Sequence, residues 1–148
     1  MITCTRLIQF CSGHRVVGHE NKCANVHGHN YKAEIFAHAL DLDNLGRVID
    51  FSILKEKVGE WIDENWDHTF IASPTESPIL LHSIQTINQK PIYYLKGNPT
   101  AENMAEHLLK DICPKLMEGT NVFVTKIVLW ETENCFVTAE YDRPYTQR

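Results

Sequence analysis

The sequence predicts an α+β domain in which a four-stranded antiparallel sheet carries two helices on one face. Three observations support this fold class: strand-like alternation at both ends of the chain, two helical repeats between them, and a hairpin-like link near the C-terminus. The predicted element order is ββααββ. The chain has 148 residues, enough to bury a sizeable core, and is predicted to form a single domain, 1–148.

The first two strands are predicted at residues 3–12 and 27–40. The first runs into Gly13, and a polar loop follows it. In the second, alternation places His27, His29 and Tyr31 on the same face as the apolar residues after them.

The first helix is predicted at residues 51–65, where apolar side chains recur every three or four positions. Asp50 precedes it and can accept hydrogen bonds from the free N–H groups of the first turn. The second helix begins near Thr100 and is predicted to end at Pro114.

The last two strands are predicted at residues 122–131 and 134–141, joined by a tight Thr-Glu-Asn link. The segment 69–99 is too long for a structureless loop in a small domain. We therefore expect a short helix at 79–87 and a short strand at 91–95.

Composition and charge exclude several classes of protein. The net charge of −5 provides no global attraction for nucleic acid, and no apolar run approaches the ~20 residues of a membrane span. The N-terminus lacks the pattern of a signal peptide. Five scattered cysteines without a C-x-x-C pair indicate reduced thiols, so we expect a cytoplasmic protein with no membrane or nucleic-acid partner.

Histidine is unusually frequent, with eight residues in the chain, and four of them lie among the first thirty residues. His27 and His29 project from one side of a strand, and hairpin-like pairing would bring His14, just after the first strand, beside them. Three imidazoles leave a zinc ion with an open coordination position, which suits Lewis-acid chemistry. His19 is a possible fourth ligand. The alternative is that these are loop histidines bonded to the backbone.

Three further positions carry chemistry that the residues alone leave open. Cys23, close to His27, could be a thiolate base, a nucleophile or a metal ligand. Asp67 and His68 could act as general acid or proton relay, or simply end a helix.

Glu131 is predicted to share a strand face with Thr125 and with the apolar side chains of Phe123, Ile127 and Leu129. It is either a solvent-edge residue or a recessed acceptor for the N–H donors of an amidine-like ring edge.

The chain resembles the 6-pyruvoyltetrahydropterin synthase and 6-carboxytetrahydropterin synthase family nearly end to end. The resemblance rests on six ordered motifs, which are Phe10-Cys-Ser-Gly-His14-Arg, Cys23-Ala-Asn-Val-His27-Gly-His29-Asn-Tyr, Val48-Ile-Asp50-Phe51, Asp67-His68, Asn98-Pro99-Thr100-Ala-Glu102-Asn and Trp130-Glu131-Thr132.

The resemblance implies the tunnelling (T) fold and a homohexamer built from two trimers, with active sites between subunits. It implies zinc binding by His14, His27 and His29. It further implies that Cys23 is the base, that Asp67 and His68 are its relay, and that Glu131 anchors the pterin, with Thr100 and Glu102 as further substrate-binding residues.

Three residues separate Cys23 from His27, a gap that resembles the bacterial carboxytetrahydropterin branch. The resemblance therefore implies a zinc-dependent lyase that converts 7,8-dihydroneopterin triphosphate to 6-carboxy-5,6,7,8-tetrahydropterin, acetaldehyde and triphosphate, in queuosine (7-deazapurine) biosynthesis. The alternatives are the pyruvoyl-forming reaction on the same substrate and a non-catalytic, zinc-stabilised pterin-binding oligomer. Because that substrate is a polyanion, local cations such as Arg15, Lys22 and Lys32 are candidates to bind it.

Overall fold

The sheet has six strands, and four of them form the antiparallel unit that the sequence predicts. The computed structural model describes residues 1–142. Its strands are β1 (Cys4–His14), β2 (His27–Ala39), β3 (Thr69–Ala72), β4 (Tyr93–Tyr94), β5 (Val122–Trp130) and β6 (Phe136–Glu140). Their spatial order is β4-β3-β1-β2-β5-β6, and the pairs β1–β2, β2–β5 and β5–β6 are antiparallel, whereas β3 is parallel to both β1 and β4.

There are three helices among these residues, α1 (residues 51–65), α2 (Pro78–Ile87) and α3 (residues 101–116). Helix α2 and strand β4 confirm the short helix and the short strand that were expected within residues 69–99. Strand β3 was not predicted, and it extends the sheet in parallel beside β1. All four of its residues are buried, so it lacks the alternation that reveals a half-exposed strand.

Helices α1 and α3 pack on one face of the sheet and bury their apolar stripes there. Asp50 caps α1 by accepting a hydrogen bond from the Ser52 amide (2.8 Å). The predicted end of α3 at Pro114 is wrong, because the helix continues to Leu116. Directly before Pro114 the helix has a wide turn, in which the Cys113 amide donates to the Leu108 carbonyl. This turn accommodates Pro114, which has no N–H to donate.

A β-bulge changes which side chains of β5 face the core. The register with β2 shifts between Phe36 and Ala37, so Val122 and Val124 are buried before the shift, and Ile127 and Leu129 after it. The predicted common face of Phe123, Thr125, Ile127 and Leu129 is therefore wrong, since one extra residue reverses the alternation. Within residues 1–142, no helix has the length and apolarity needed to cross a bilayer.

Candidate active site

Three histidines converge where β1 ends and β2 begins. The antiparallel register pairs His14 with His27 and Ser12 with His29. His14 is the last residue of β1 rather than a residue beyond it, because the strand runs two residues past its predicted end. One nitrogen from each ring lies within 4.8 Å of the others, and His14 is almost fully buried.

Backbone carbonyls set the tautomers of two of these rings. His14 Nδ1 donates to the Pro99 carbonyl and His27 Nδ1 donates to the Asn25 carbonyl, each at 2.6 Å. Both Nε2 atoms therefore carry lone pairs, although they lie only 3.1 Å apart. Two facing acceptors repel each other unless a cation lies between them, which is how carbonyl-oriented metal ligands are arranged.

The third ring shows the same need for a cation. His29 Nε2 is buried and makes no hydrogen bond, although the Glu131 carboxylate lies 3.0 Å away. Burial lowers the pKa of His14 and of His29, outweighing the nearby carboxylate, so both favour the neutral form that binds metals. The three residues fit a zinc site with an open position.

Gly28 allows the two strands to approach closely between the ligands. A Cβ at this position would lie 3.0 Å from the Ser12 carbonyl oxygen of β1. No side chain could occupy that space without moving backbone, so the spacing of His27 and His29 relative to β1 depends on this glycine.

Asp67 and His68 form a hydrogen-bonded pair at the edge of β1. Asp67 accepts from the Cys11 amide (2.9 Å) and from His68 Nδ1 (2.8 Å). His68 adopts φ = 55°, a left-handed conformation uncommon for a residue with a Cβ, and its side chain is 76% exposed. Such outliers cluster at functional sites.

Cys23 lies in a single 3₁₀ turn, Lys22–Ala24, between β1 and β2. Its carbonyl accepts from the Val16 amide (2.7 Å), which holds the turn beside the end of β1. In the described part of the chain, no hydrogen bond connects its half-buried thiol to Asp67 or His68.

A cavity of about 500 Å³ opens beside the triad, and His27, His29 and His68 all line it. Ile84 of helix α2 and Asn88, directly after that helix, contribute to the wall, so the segment 69–99 shapes this opening. Its volume is in the range of small-molecule sites.

The remaining candidates have other partners. Thr100 Oγ1 accepts from the Asn103 amide and caps α3, whose first turn carries the exposed Glu102. His19 Nδ1 accepts from the Asn21 amide, and His19 is not part of the metal-like cluster of residues 1–142. His19 is therefore not a fourth ligand here.

Sequence reasoning missed one ion pair of the site. Arg15, next to His14, binds the buried carboxylate of Glu76 (2.7 Å), so its charge is already compensated. Nothing in the sequence marks Glu76, because the two residues are far apart in the chain.

Comparison with known proteins gives consistent matches. The family described as 6-pyruvoyl tetrahydropterin synthase matches residues 3–142. Two relatives, both named 6-carboxy-5,6,7,8-tetrahydropterin synthase, come from Rickettsia bellii (49% identical, covering 93% of this chain and 99% of the relative) and Haemophilus influenzae (33%, covering 92% and 96%).

Solved structures agree on the fold. An uncharacterized protein from Wolinella succinogenes matches with a TM-score of 0.80 at 20% identity, covering 95% of this chain and 98% of that one. A catalytic-residue mutant of Plasmodium vivax 6-pyruvoyltetrahydropterin synthase matches with a TM-score of 0.67 at 18% identity, covering 97% and 100%. These likenesses confirm the predicted α+β T-fold.

Proposed function

The chain belongs to the 6-pyruvoyl tetrahydropterin synthase family, and from this premise we propose that it is a lyase, a 6-carboxy-5,6,7,8-tetrahydropterin synthase. Its substrates would be 7,8-dihydroneopterin triphosphate and one water molecule, and its products 6-carboxytetrahydropterin, acetaldehyde and triphosphate. The observation that carries the proposal is the convergence of three imidazoles, two of them held in one tautomer by backbone carbonyls, with the Glu131 carboxylate beside a cavity of small-molecule size.

His14, His27 and His29 would hold the zinc ion, and the facing Nε2 atoms of His14 and His27 support this role, as do the lowered pKa values of His14 and His29. A bound zinc ion supplies Lewis-acid polarisation of substrate oxygens. The carbonyls of Pro99 and Asn25 keep two of the rings in the tautomer that this role requires.

Glu131 would anchor the pterin ring through its N–H donors. Its carboxylate is partly buried beside His29 and has no cationic side chain of Lys or Arg bonded to it within residues 1–142. A ring that presents two N–H groups can therefore form charge-assisted hydrogen bonds with it.

Cys23 would remove a proton from the substrate side chain, with His68 as its relay. Asp67 accepts from His68 Nδ1, which leaves Nε2 of His68 facing outward to exchange a proton. No hydrogen bond joins this pair to Cys23 within residues 1–142, and we propose that a neighbouring copy supplies the relay.

Oligomer formation is supported by the open edges of the sheet. Among residues 1–142, strands β4 and β6 lie at the two edges of the sheet, and edge strands usually require cover. We propose a homohexamer of two trimers, with the sites between subunits. The proposal also includes substrate binding by Thr100 and Glu102, a cytoplasmic location and a role in the queuosine pathway.

Incubation with dihydroneopterin triphosphate tests the function directly. Mass spectrometry should detect 6-carboxytetrahydropterin and acetaldehyde, and Cys23→Ala and His68→Ala should abolish both while zinc content stays constant. Cys135→Ala and His82→Ala, which change exposed residues of the same types, are the matched controls. Release of triphosphate without acetaldehyde would identify the pyruvoyl-forming reaction instead, and binding without turnover a non-catalytic oligomer.

A further inference from the structure

The turn that carries Cys23 is held in place by the side chain of Arg15, which directly follows β1. The Arg15 guanidinium donates from Nη1 to the carbonyl of Ala24, at 3.2 Å, directly after Cys23. The neighbouring Val16 amide donates to the Cys23 carbonyl at 2.7 Å. Two consecutive residues after His14 thus bind the carbonyl of Cys23 and that of the residue directly after it.

A buried carboxylate orients that guanidinium. Arg15 Nε lies 2.8 and 2.9 Å from the two oxygens of Glu76, and Nη2 lies 2.7 Å from Oε1. The Glu76 side chain is only 1% exposed and also accepts from the Ser77 amide at 2.7 Å, just before α2. This fork-to-fork geometry fixes both groups.

The charges of this pair compensate each other. Burial alone would raise the pKa of the Glu76 carboxyl, but the hydrogen bonds from Arg15 and Ser77 outweigh it and lower that pKa. Arg15 is only 28% exposed, and its guanidinium has three engaged nitrogens. It is therefore poorly placed to serve as a free cation for a triphosphate.

We propose that Arg15 and Glu76 are positioning residues that hold the Cys23 turn at a set place relative to the histidine triad. The proposal rests on the proposed role of Cys23 as the base. Because Arg15 directly follows His14, one short stretch of backbone orients both a metal ligand and the turn. A misplacement of about 1 Å can cost about 100-fold in rate, so such a clamp has a direct kinetic consequence.

The kinetic test is Arg15→Lys, which keeps the charge but cannot bridge Glu76 and the Ala24 carbonyl with one planar group. We expect kcat to fall at least about tenfold while KM changes by less than about twofold, with zinc content unchanged. Arg47→Lys is the matched control, because Arg47 also bridges carboxylates (Asp43 and Asp50) but lies outside the site. A raised KM at unchanged kcat would show that Arg15 binds the anion and would overturn the proposal.

A chemical readout keeps the test independent of the reaction. In Arg15→Lys, iodoacetamide should alkylate Cys23 at least about threefold faster, because the released turn opens more often. The exposed thiols of Cys11 and Cys135, followed by peptide mass spectrometry in the same sample, are internal references. An unchanged or slower rate at Cys23 would overturn the clamp. If the wild-type protein made no 6-carboxy product but the alkylation difference held, the proposed function would fail and the clamp would stand.

A double variant separates positioning from stability. Arg15→Met with Glu76→Leu removes the buried carboxylate and its partly exposed partner together, so it avoids an uncompensated buried charge and should preserve folding. The Ala24 carbonyl still loses its donor, and we expect kcat to stay low in a folded, zinc-containing protein. Recovery of wild-type kcat would show that the pair only stabilises the fold, contrary to the proposal.

Discussion

Substitution of Gly28 by alanine tests whether the close approach of β1 and β2 determines the metal site. The added Cβ would lie 3.0 Å from the Ser12 carbonyl oxygen, and 3.7 and 3.8 Å from two further backbone atoms of β1. None of these atoms can rotate away, so the strands must separate by a few tenths of an ångström. His27 and His29 flank Gly28, and their rings would move with it.

The expected magnitude follows from two opposing effects. Overpacking against backbone costs about 1–3 kcal/mol. Loss of the glycine's extra freedom in the unfolded chain returns about 0.5–1 kcal/mol. We therefore expect a net loss of about 0–2.5 kcal/mol in the free energy of unfolding, from these two ranges combined. Zinc affinity should fall about 10- to 100-fold, as for other perturbations of ligand orientation.

Gly59→Ala is the matched control in helix α1. The nearest atoms to its added Cβ are side-chain carbons of Lys55 (3.4 Å) and Ile8 (3.7 Å), which can adjust. Alanine should stabilise this helix by about 0.5–1 kcal/mol and leave zinc binding unchanged. Urea denaturation of the metal-free proteins and competition with a chromophoric chelator measure both quantities. If Gly28→Ala bound zinc as tightly as Gly59→Ala, the strand spacing would not determine the ligand geometry.

Three further outcomes follow from the structure. Removal of zinc by a chelator should leave a folded but inactive protein, since the core does not depend on the metal; loss of the far-ultraviolet circular dichroism signal would contradict this. Folding lowers the pKa values of the Glu76 and Asp67 carboxyl groups, so the stability that these groups contribute is complete above about pH 4.5 and is lost as the pH falls further. A urea midpoint that stays constant from about pH 5 to 3 would refute this pH dependence. Burial raises the pKa of the Cys113 thiol to about 12, so this cysteine should resist iodoacetamide at pH 8 until urea unfolds the chain, whereas native labelling would disprove its burial.

Much of the site could be predicted because its chemistry lies in short segments. His27 and His29 share a face of β2 by strand alternation alone, and the structure confirms that placement. The adjacency of Asp67 and His68 likewise made their pairing predictable, and it is observed at 2.8 Å. The functional roles of these four residues, and those of His14, Cys23, Glu131, Thr100 and Glu102, stay predictions.

Other features depended on contacts that sequence patterns do not encode. The bulge opposite Phe36 places Thr125 on the face opposite to the predicted one. The sequence did not reveal this bulge, because a single unpaired residue leaves no signal in the composition. Pro114 was expected to end its helix, but the helix continues past it because a wide turn directly before the proline accommodates its missing N–H. Strand β3 was missed because burial on both faces removes the alternation.

The sequence by itself determined the α+β class, the main helices and strands, and the family to which the chain belongs, because these follow from local periodicity and ordered motifs. Only the tertiary structure decided that the Pro99 carbonyl orients His14 and that Glu76 orients Arg15, across 85 and 61 residues of chain. Such contacts require the register of β1 with β2 and the packing of segment 69–99 beside β1. The physical reason is that a side chain's partner is set by where distant backbone lies, and local propensity carries no information about that.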